Sequence, residues 1–372
     1  MMKKSVKLAV AATVFATPAM AADVPGQIYS TVNNMENPLY LPARNMFYSK
    51  LSNGVMLKVA DSSKAHKMKN HDGSVEFPIL RIQEELGYGI TDRWAVHGSV
   101  QYTHDNDIGR TGLSAGRIGT TYRILNKYNG YVWDMYGDVH LGGVGEMRGT
   151  YNIKVNSLVP TPNVSGVMDY DNYSNGMWGL HFGTKFGRVW NDKFTTSAFV
   201  EALRSFGDDN NMIRLAGDNQ HKFIAGMNGS TPVMATTAQF LAGAYAPNQI
   251  SAELKSTWEV SAGLNAFYQW SDRISTGAWF RYNHHASQGV EKITTAVEGQ
   301  QLNMLKTLLE KQLADMQDGF DEYIIGLSWA TQMTQHAQVA LYGEYTFDTA
   351  KEKSQNGTDV KAEVGVRVNF TF

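Results

Sequence analysis

The stretch Val360-Lys361-Ala362-Glu363-Val364-Gly365-Val366-Arg367-Val368-Asn369-Phe370-Thr371-Phe372 alternates with a period of two. Val360, Val364, Val366, Val368, Phe370 and Phe372 share one face; Lys361, Glu363, Arg367, Asn369 and Thr371 share the other. Successive side chains of an extended strand point to opposite sides, whereas a helix carries an apolar residue off its face within a turn. The segment is therefore a strand with one oily and one wet side, and it ends on an aromatic residue.

The same alternation recurs along the chain. In 94–104, Trp94, Val96, Val100 and Tyr102 oppose His97, Ser99, Gln101 and Thr103. In 131–143, Tyr131, Trp133, Met135, Val139 and Leu141 oppose Asp134, Tyr136, Asp138 and His140. In 252–270, Leu254, Trp258, Val260, Leu264, Tyr268 and Trp270 oppose Glu253, Lys255, Glu259, Asn265 and Gln269. One template predicts about 12 strands, at 46–60, 76–90, 94–104, 112–125, 131–144, 176–188, 194–206, 252–270, 274–286, 321–333, 337–348 and 360–372. Most reach the about 9–11 residues that a tilted strand needs to cross a hydrocarbon layer.

Connections alternate in length. Thr91 to Arg93, Asn126 to Gly130, Asn191 to Lys193, Ser271 to Arg273 and Thr334 to His336 are tight turns. Between them lie loops at 61–75, 105–111, 145–175, 207–251, 287–320 and 349–359. If the first strand runs upward, every tight turn and the C-terminal Phe372 fall on one rim, the periplasmic one, as expected of a barrel inserted from the periplasm. Tyr88, Trp94, Trp133, Phe194 and Trp270 collect near that rim; Tyr102, Trp178, Trp258, Phe280, Tyr323 and Phe347 collect near the other. Two aromatic girdles are what two membrane–water boundaries select. A secreted soluble β-sandwich also alternates, but it requires neither the girdles nor the one-sided loops. The expected fold is all-β: a transmembrane antiparallel up-and-down barrel.

The first residues set the compartment. Lys3, Lys4 and Lys7 precede an apolar run from Leu8 to Phe15, and Ala19-Met20-Ala21 offers a signal-peptidase site. We expect residues 1–21 to be a signal peptide, 22–45 a periplasmic N-terminal segment and 46–372 the barrel. The formal charge of −2 loses three lysines with the leader, which argues against nucleic acid as a partner. With no cysteine, disulfides and thiolate metal sites are excluded. No cofactor or metal is expected.

A signal peptide, alternating strands and a final strand Val364 to Phe372 closing on Phe370 and Phe372 resemble Gram-negative bacterial outer-membrane β-barrel proteins, of the porin and transporter kind. That resemblance implies an outer-membrane location with both termini periplasmic. It also implies Phe370 and Phe372 as the signal read by the barrel-assembly machinery, passage by way of periplasmic chaperones, and a surround of outer-membrane lipid and lipopolysaccharide.

If the oily faces meet lipid, the wet faces line the interior. The expected lumen residues are Arg81, Glu85, Arg117, Arg123, Asp134, Asp138, His140, His181, Lys185, Glu201, Glu253, Lys255, Glu259, Arg281, Glu344, Glu363 and Arg367. Mixed charges of this kind suit either a wetted pore or a cross-paired, filled interior. A barrel of about 12 strands lies between filled small barrels and open porins, so a narrow conduit for small solutes is expected.

In 290–317 the period changes to that of a helix, with Leu302, Leu305, Leu309, Leu313 and Met316 in one stripe. The loop 207–251 is apolar, and Thr231-Pro232 offers a second helix start. Ala22 to Arg44, with Pro25, Pro38 and Pro42, is placed where long-chain fatty-acid transporters carry a plug. His285-Ala286-Ser287-Gln288-Gly289 is similar to the His-x-Ser-x-Gly segment of outer-membrane phospholipase A, which implies His285 as base and Ser287 as nucleophile. The rest of that family's pattern is not matched, and no enzyme activity is expected. Asp105 to Gly109 carries oxygen ligands of a calcium turn without the terminal acid, and reads as a solvated loop tip.

Overall fold

The computed structural model describes residues 34–60, 79–105, 110–128, 130–141, 153–155, 164–169, 178–207, 211–215, 222–229, 231–236, 250–287, 290–295, 319–349 and 360–372. The expected signal peptide, residues 22–33, the loop tip after Asp105 and the helical stripe at 302–316 lie outside them. The described chain forms β1 (Phe47–Ala60), β2 (Ile79–Thr91), β3 (Trp94–Asp105), β4 (Arg110–Tyr128), β5 (Tyr131–Leu141), β6 (Ile153–Val155), β7 (Val164–Asp169), β8 (Gly179–Val189), β9 (Phe194–Ser205) and β10 (Asn211–Leu215). It continues with β11 (Lys222–Asn228), β12 (Thr231–Thr236), β13 (Ile250–Leu254), β14 (Thr257–Gln269), β15 (Ile274–His285), β16 (Val290–Thr295), β17 (Phe320–Gln332), β18 (Ala337–Asp348) and β19 (Val360–Thr371).

Strands β1, β2, β3, β4, β5, β8, β9, β14, β15, β17, β18 and β19 close into one antiparallel barrel of 12 strands. Closure falls between the ends of the chain: β1 pairs with β2 on one side and with β19 on the other, and Gly54 stands opposite both Arg81 and Gly365. The row of pairing partners that starts at Tyr48 runs through Gly87, His97, Gly119, Asp138, His181, Leu203, Glu259 and His285 to Phe320. It leaves β1 beside the short-turn rim and reaches β17 at the long-loop rim, so the strands are tilted against the barrel axis as closure demands.

The outer wall is apolar and bare. Leu327 is 65 % exposed, Leu264 61 % and Ile118 61 %, values that suit lipid contact and would be costly against water. Near the short turns, four outward tryptophans each donate the indole N–H to a threonine hydroxyl: Trp94 to Thr120 at 2.6 Å, Trp133 to Thr184 at 2.7 Å, Trp190 to Thr196 at 2.8 Å and Trp270 to Thr276 at 3.1 Å. These bonds satisfy the polar atom of an amphipathic ring where the hydrocarbon offers no partner. At the other rim the rings of Tyr282, Tyr323 and Phe347 lie side by side. A closed barrel with this wall is a transmembrane barrel of the outer-membrane type.

Three expectations are corrected. The strand expected at 252–270 is broken: the barrel strand begins at Thr257, and Ile250–Leu254 belongs to a separate sheet of order β16-β13-β10-β7-β6. Glu253 and Lys255 therefore lie outside the barrel wall. The separate sheet repeats the order of the barrel strands β15-β14-β9-β8-β5 that its members flank, so the alternation simply continues past the rim. Thr231-Pro232 starts no helix. It opens β12, which pairs with β11 across a turn at Gly229, whose φ of 62° suits glycine. Likewise 290–295, the start of the expected helix at 290–317, is the strand β16.

Val366 shares the bare outer face. Val366→Arg is expected to cost about 2–4 kcal/mol of barrel stability at mid-membrane depth, and Gln83→Arg on the inward face about 1 kcal/mol or less. Folding titrations into lipid vesicles check this; equal costs would contradict the assignment of faces.

Candidate functional site

The N-terminal segment 34–46 lies across the short-turn mouth of the barrel and bonds to its inward wall on every side. Asn34 donates to Gln269 and Ser275, at 3.1 and 3.2 Å, and accepts from Gln338 at 2.9 Å. The Glu36 carboxylate takes Arg367 at 2.9 Å and Asn369 at 2.9 Å. Asn37 donates to Thr195 at 3.2 Å, while its side-chain oxygen accepts from the Leu39 amide at 2.9 Å and so turns the backbone on itself. The carbonyls of Pro38 and Leu39 are capped by Lys185 at 2.9 Å and Arg123 at 2.6 Å. The Leu39 side chain is fully buried against Val132 and Val189, and Tyr40 meets Tyr48 edge to face at 5.7 Å.

The exit from the mouth is also determined locally. Asn45 adopts a φ of 64°, a left-handed conformation that asparagine tolerates better than most residues. Its amide donates to Gly89 at 2.7 Å, and the Arg44 amide donates to Asp92 at 3.1 Å, so the chain enters β1 from inside the barrel.

Burial raises the affinity of the Glu36 carboxyl for its proton, but the Arg367 guanidinium, the Asn369 amide and Lys50 outweigh it. They hold Glu36 below the usual carboxylate range. The charged form is therefore the one the bound segment favours. Its contribution is complete above the ordinary carboxylate range and is lost as pH falls through the lowered value.

Deeper in, charges are cross-linked around the wall. Arg123 grips Asp134 through two bonds of 2.7 and 3.0 Å, both partners almost wholly buried. Asp138 is held between His97 and His181, the latter at 2.7 Å. His181 faces Glu201 at 3.5 Å, and Glu201 in turn takes Tyr136 at 2.7 Å and Arg281 at 2.5 Å. Arg281 also donates to Asn283 at 2.6 Å, Asn283 to Glu322 at 2.7 Å, and His285 lies between Glu322 and Glu259 at 3.7 and 3.2 Å. Elsewhere on the wall Arg81 pairs with Glu363 over β1 at 3.1 Å, and Trp279 donates to Glu344 over β17 at 3.1 Å. Tyr136 lies over Gly183, where an added Cβ would come within 2.6 Å of the ring; glycine there makes room for the phenol to reach Glu201.

Of the residues expected inside, Arg81, Glu85, Arg123, Asp134, Asp138, His181, Lys185, Glu201, Glu259, Arg281, Glu344, Glu363 and Arg367 take part in these bonds. Glu85 accepts from Tyr48 at 2.8 Å. Arg117 stands opposite His140 on the same face. Phe370 lies outward on β19, and Phe372 closes the wall by exchanging backbone bonds with Phe47. Sequence reasoning missed Asn34, Glu36, Asn37 and Leu39, which lie outside any alternating strand. It also missed the part played by His97 and Glu322, although both sit on wet faces. His285 is drawn into the carboxylate network and, among the described residues, is not bonded to Ser287.

No protein-family model matches the sequence, and no curated protein matches it. Among solved structures, an outer membrane channel from Pseudomonas putida F1 aligns over 94 % of this chain and 100 % of its own at 10 % identity, with a TM-score of 0.48. The TodX monoaromatic hydrocarbon channel, as a deltaS2 mutant, aligns over 89 % and 91 % at 8 % identity and a TM-score of 0.45. The NanC porin aligns over 87 % and 98 % at 7 % identity and a TM-score of 0.39.

The Arg123–Asp134 pair provides a test of how the wall and the segment are joined. Arg123→Met leaves a buried carboxylate unpaired and is expected to cost about 3–5 kcal/mol, most of it recovered in Arg123→Met/Asp134→Leu. Urea unfolding from vesicles measures both; a double variant no better than the single one would contradict the pairing.

Proposed function

We propose that this barrel is an outer-membrane channel for the passive passage of small solutes, closed at its short-turn mouth by residues 34–46 and opened when that segment is released. The observation that carries it is the joining of the segment to the wall mainly by polar contacts, with buried Met35 and Leu39 as its apolar anchors. A covering meant to be permanent would be expected to bury a larger apolar surface; hydrogen bonds and ion pairs exchange with water at modest net cost. The mixed-charge wall beyond it suits small hydrophilic solutes. Both termini then lie in the periplasm, and the protein acts without catalysis.

A filled, structural barrel is the second reading, favoured by the extent of the ion-pair network. Hydrolysis by His285 and Ser287 is a third. Against it, both ring nitrogens of His285 face carboxylates, and Ser287→Ala should leave any lipase activity unchanged.

Planar-bilayer recording separates the first two. Full-length protein is expected to give small or infrequent steps, and a chain lacking residues 22–44 larger, more persistent ones. Glu36→Gln should open the full-length channel at neutral pH, and acid below the carboxylate range should do the same to the unaltered chain. A truncated chain that folds into lipid and passes no current would remove the channel reading.

A further inference from the structure

Among the described residues, the outer wall carries one ionisable group at mid-height that the channel reading does not use. Glu84 is opposite Leu51 on β1 and Val100 on β3, and alternates with inward Glu85. It therefore shares the lipid face with Ile82, exposed Leu86 and exposed Val100. The hydrogen bond it accepts within the chain comes from Ser49, at 3.3 Å. A carboxylate so placed is costly in hydrocarbon and calls for a donor. Asn53, exposed on the same face of β1, stands diagonally beside it, opposite Ile82 and Val366.

We propose that the β1–β2 face is the contact surface for a second copy of this chain, with Asn53 of each copy donating to Glu84 of the other. Two residues along a tilted strand raise Asn53 above Leu51, and one strand spacing along the climbing row raises Glu84 above the same residue. With a rise of ~3.4 Å per residue, a spacing of ~4.8 Å and a tilt of ~40°, the two side chains differ in height by about 2 Å. Copies inserted in the same direction can be related only by a two-fold axis along the membrane normal. That axis sets the left of one patch against the right of the other, so an Asn–Glu pair at one height meets its complement twice. Phe47, Leu51, Leu86, Val100 and Val366 supply an apolar surround. A lipid headgroup does not reach this depth, and an acyl chain has no donor to offer.

The chain has no cysteine, so one introduced thiol reports on one position. Leu51→Cys, purified and reconstituted in phosphatidylcholine vesicles, is treated with a short bifunctional thiol reagent. The expected result is a cross-linked dimer several-fold more abundant than from Leu327→Cys on β17, three strands round the wall from β1. It should fall to the Leu327→Cys level in Leu51→Cys/Glu84→Leu and Leu51→Cys/Asn53→Leu, with folding verified by heat-modifiable gel mobility. Yields from Leu51→Cys no higher than the control overturn the proposal, as does a dimer undiminished in both double variants. A cross-link that forms in native outer membranes to a different polypeptide, and not in vesicles of the pure chain, overturns it too. Channel activity plays no part in the readout, so this test and that of the channel reading fail independently.

Discussion

Hydrocarbon supplies no hydrogen bonds, and every feature of this molecule follows from that. A strand in such a solvent must pair both edges, so the sheet has to close, and it closes where the last strand meets the first. Four tryptophan indoles near the short turns are held to the same condition, each finding a threonine on the neighbouring strand. Among the described residues Glu84 is the ionisable group on the outer wall at mid-height, with Ser49 donating to it at 3.3 Å, and its neighbourhood, rather than the bare leucines around it, is where we propose a second copy docks.

Inside, the condition reverses. Water or a counter-charge must meet each ionic group, and the wall answers with chains of partners that skip across strands: imidazole to carboxylate, carboxylate to guanidinium, guanidinium to amide. Near the short turns the N-terminal segment takes over the role of water. It presents one carboxylate to Arg367 and backbone carbonyls to Arg123 and Lys185, so these three cations are met while the mouth is covered. Inward residues that bond this segment can bond water equally well, a property the socket of an apolar plug would not have.

How far these features were legible in the sequence depended on their range. Alternation in 94–104 or 360–372 is a property of neighbours, and it placed the twelve barrel strands, the short turns and the wet faces directly. The same local rule misread 252–270, because a sheet that continues beyond the rim alternates just as one inside the membrane does. It misread Thr231-Pro232 as well: proline opens helices, but Gly229, three residues before that proline, turns the chain into a hairpin.

The sequence by itself determined the fold class, the faces of the strands and the rim on which the turns fall, since each rests on side chains one or two residues apart. Only the tertiary structure decided which charges meet. Glu36 and Arg367 stand more than three hundred positions apart, and His97 reaches Asp138 over an intervening strand; no spacing in the chain encodes either. Closure of the barrel sets those distances, because it is closure that folds a tilted row of partners around a common interior and leaves room at one end for the segment that fills it.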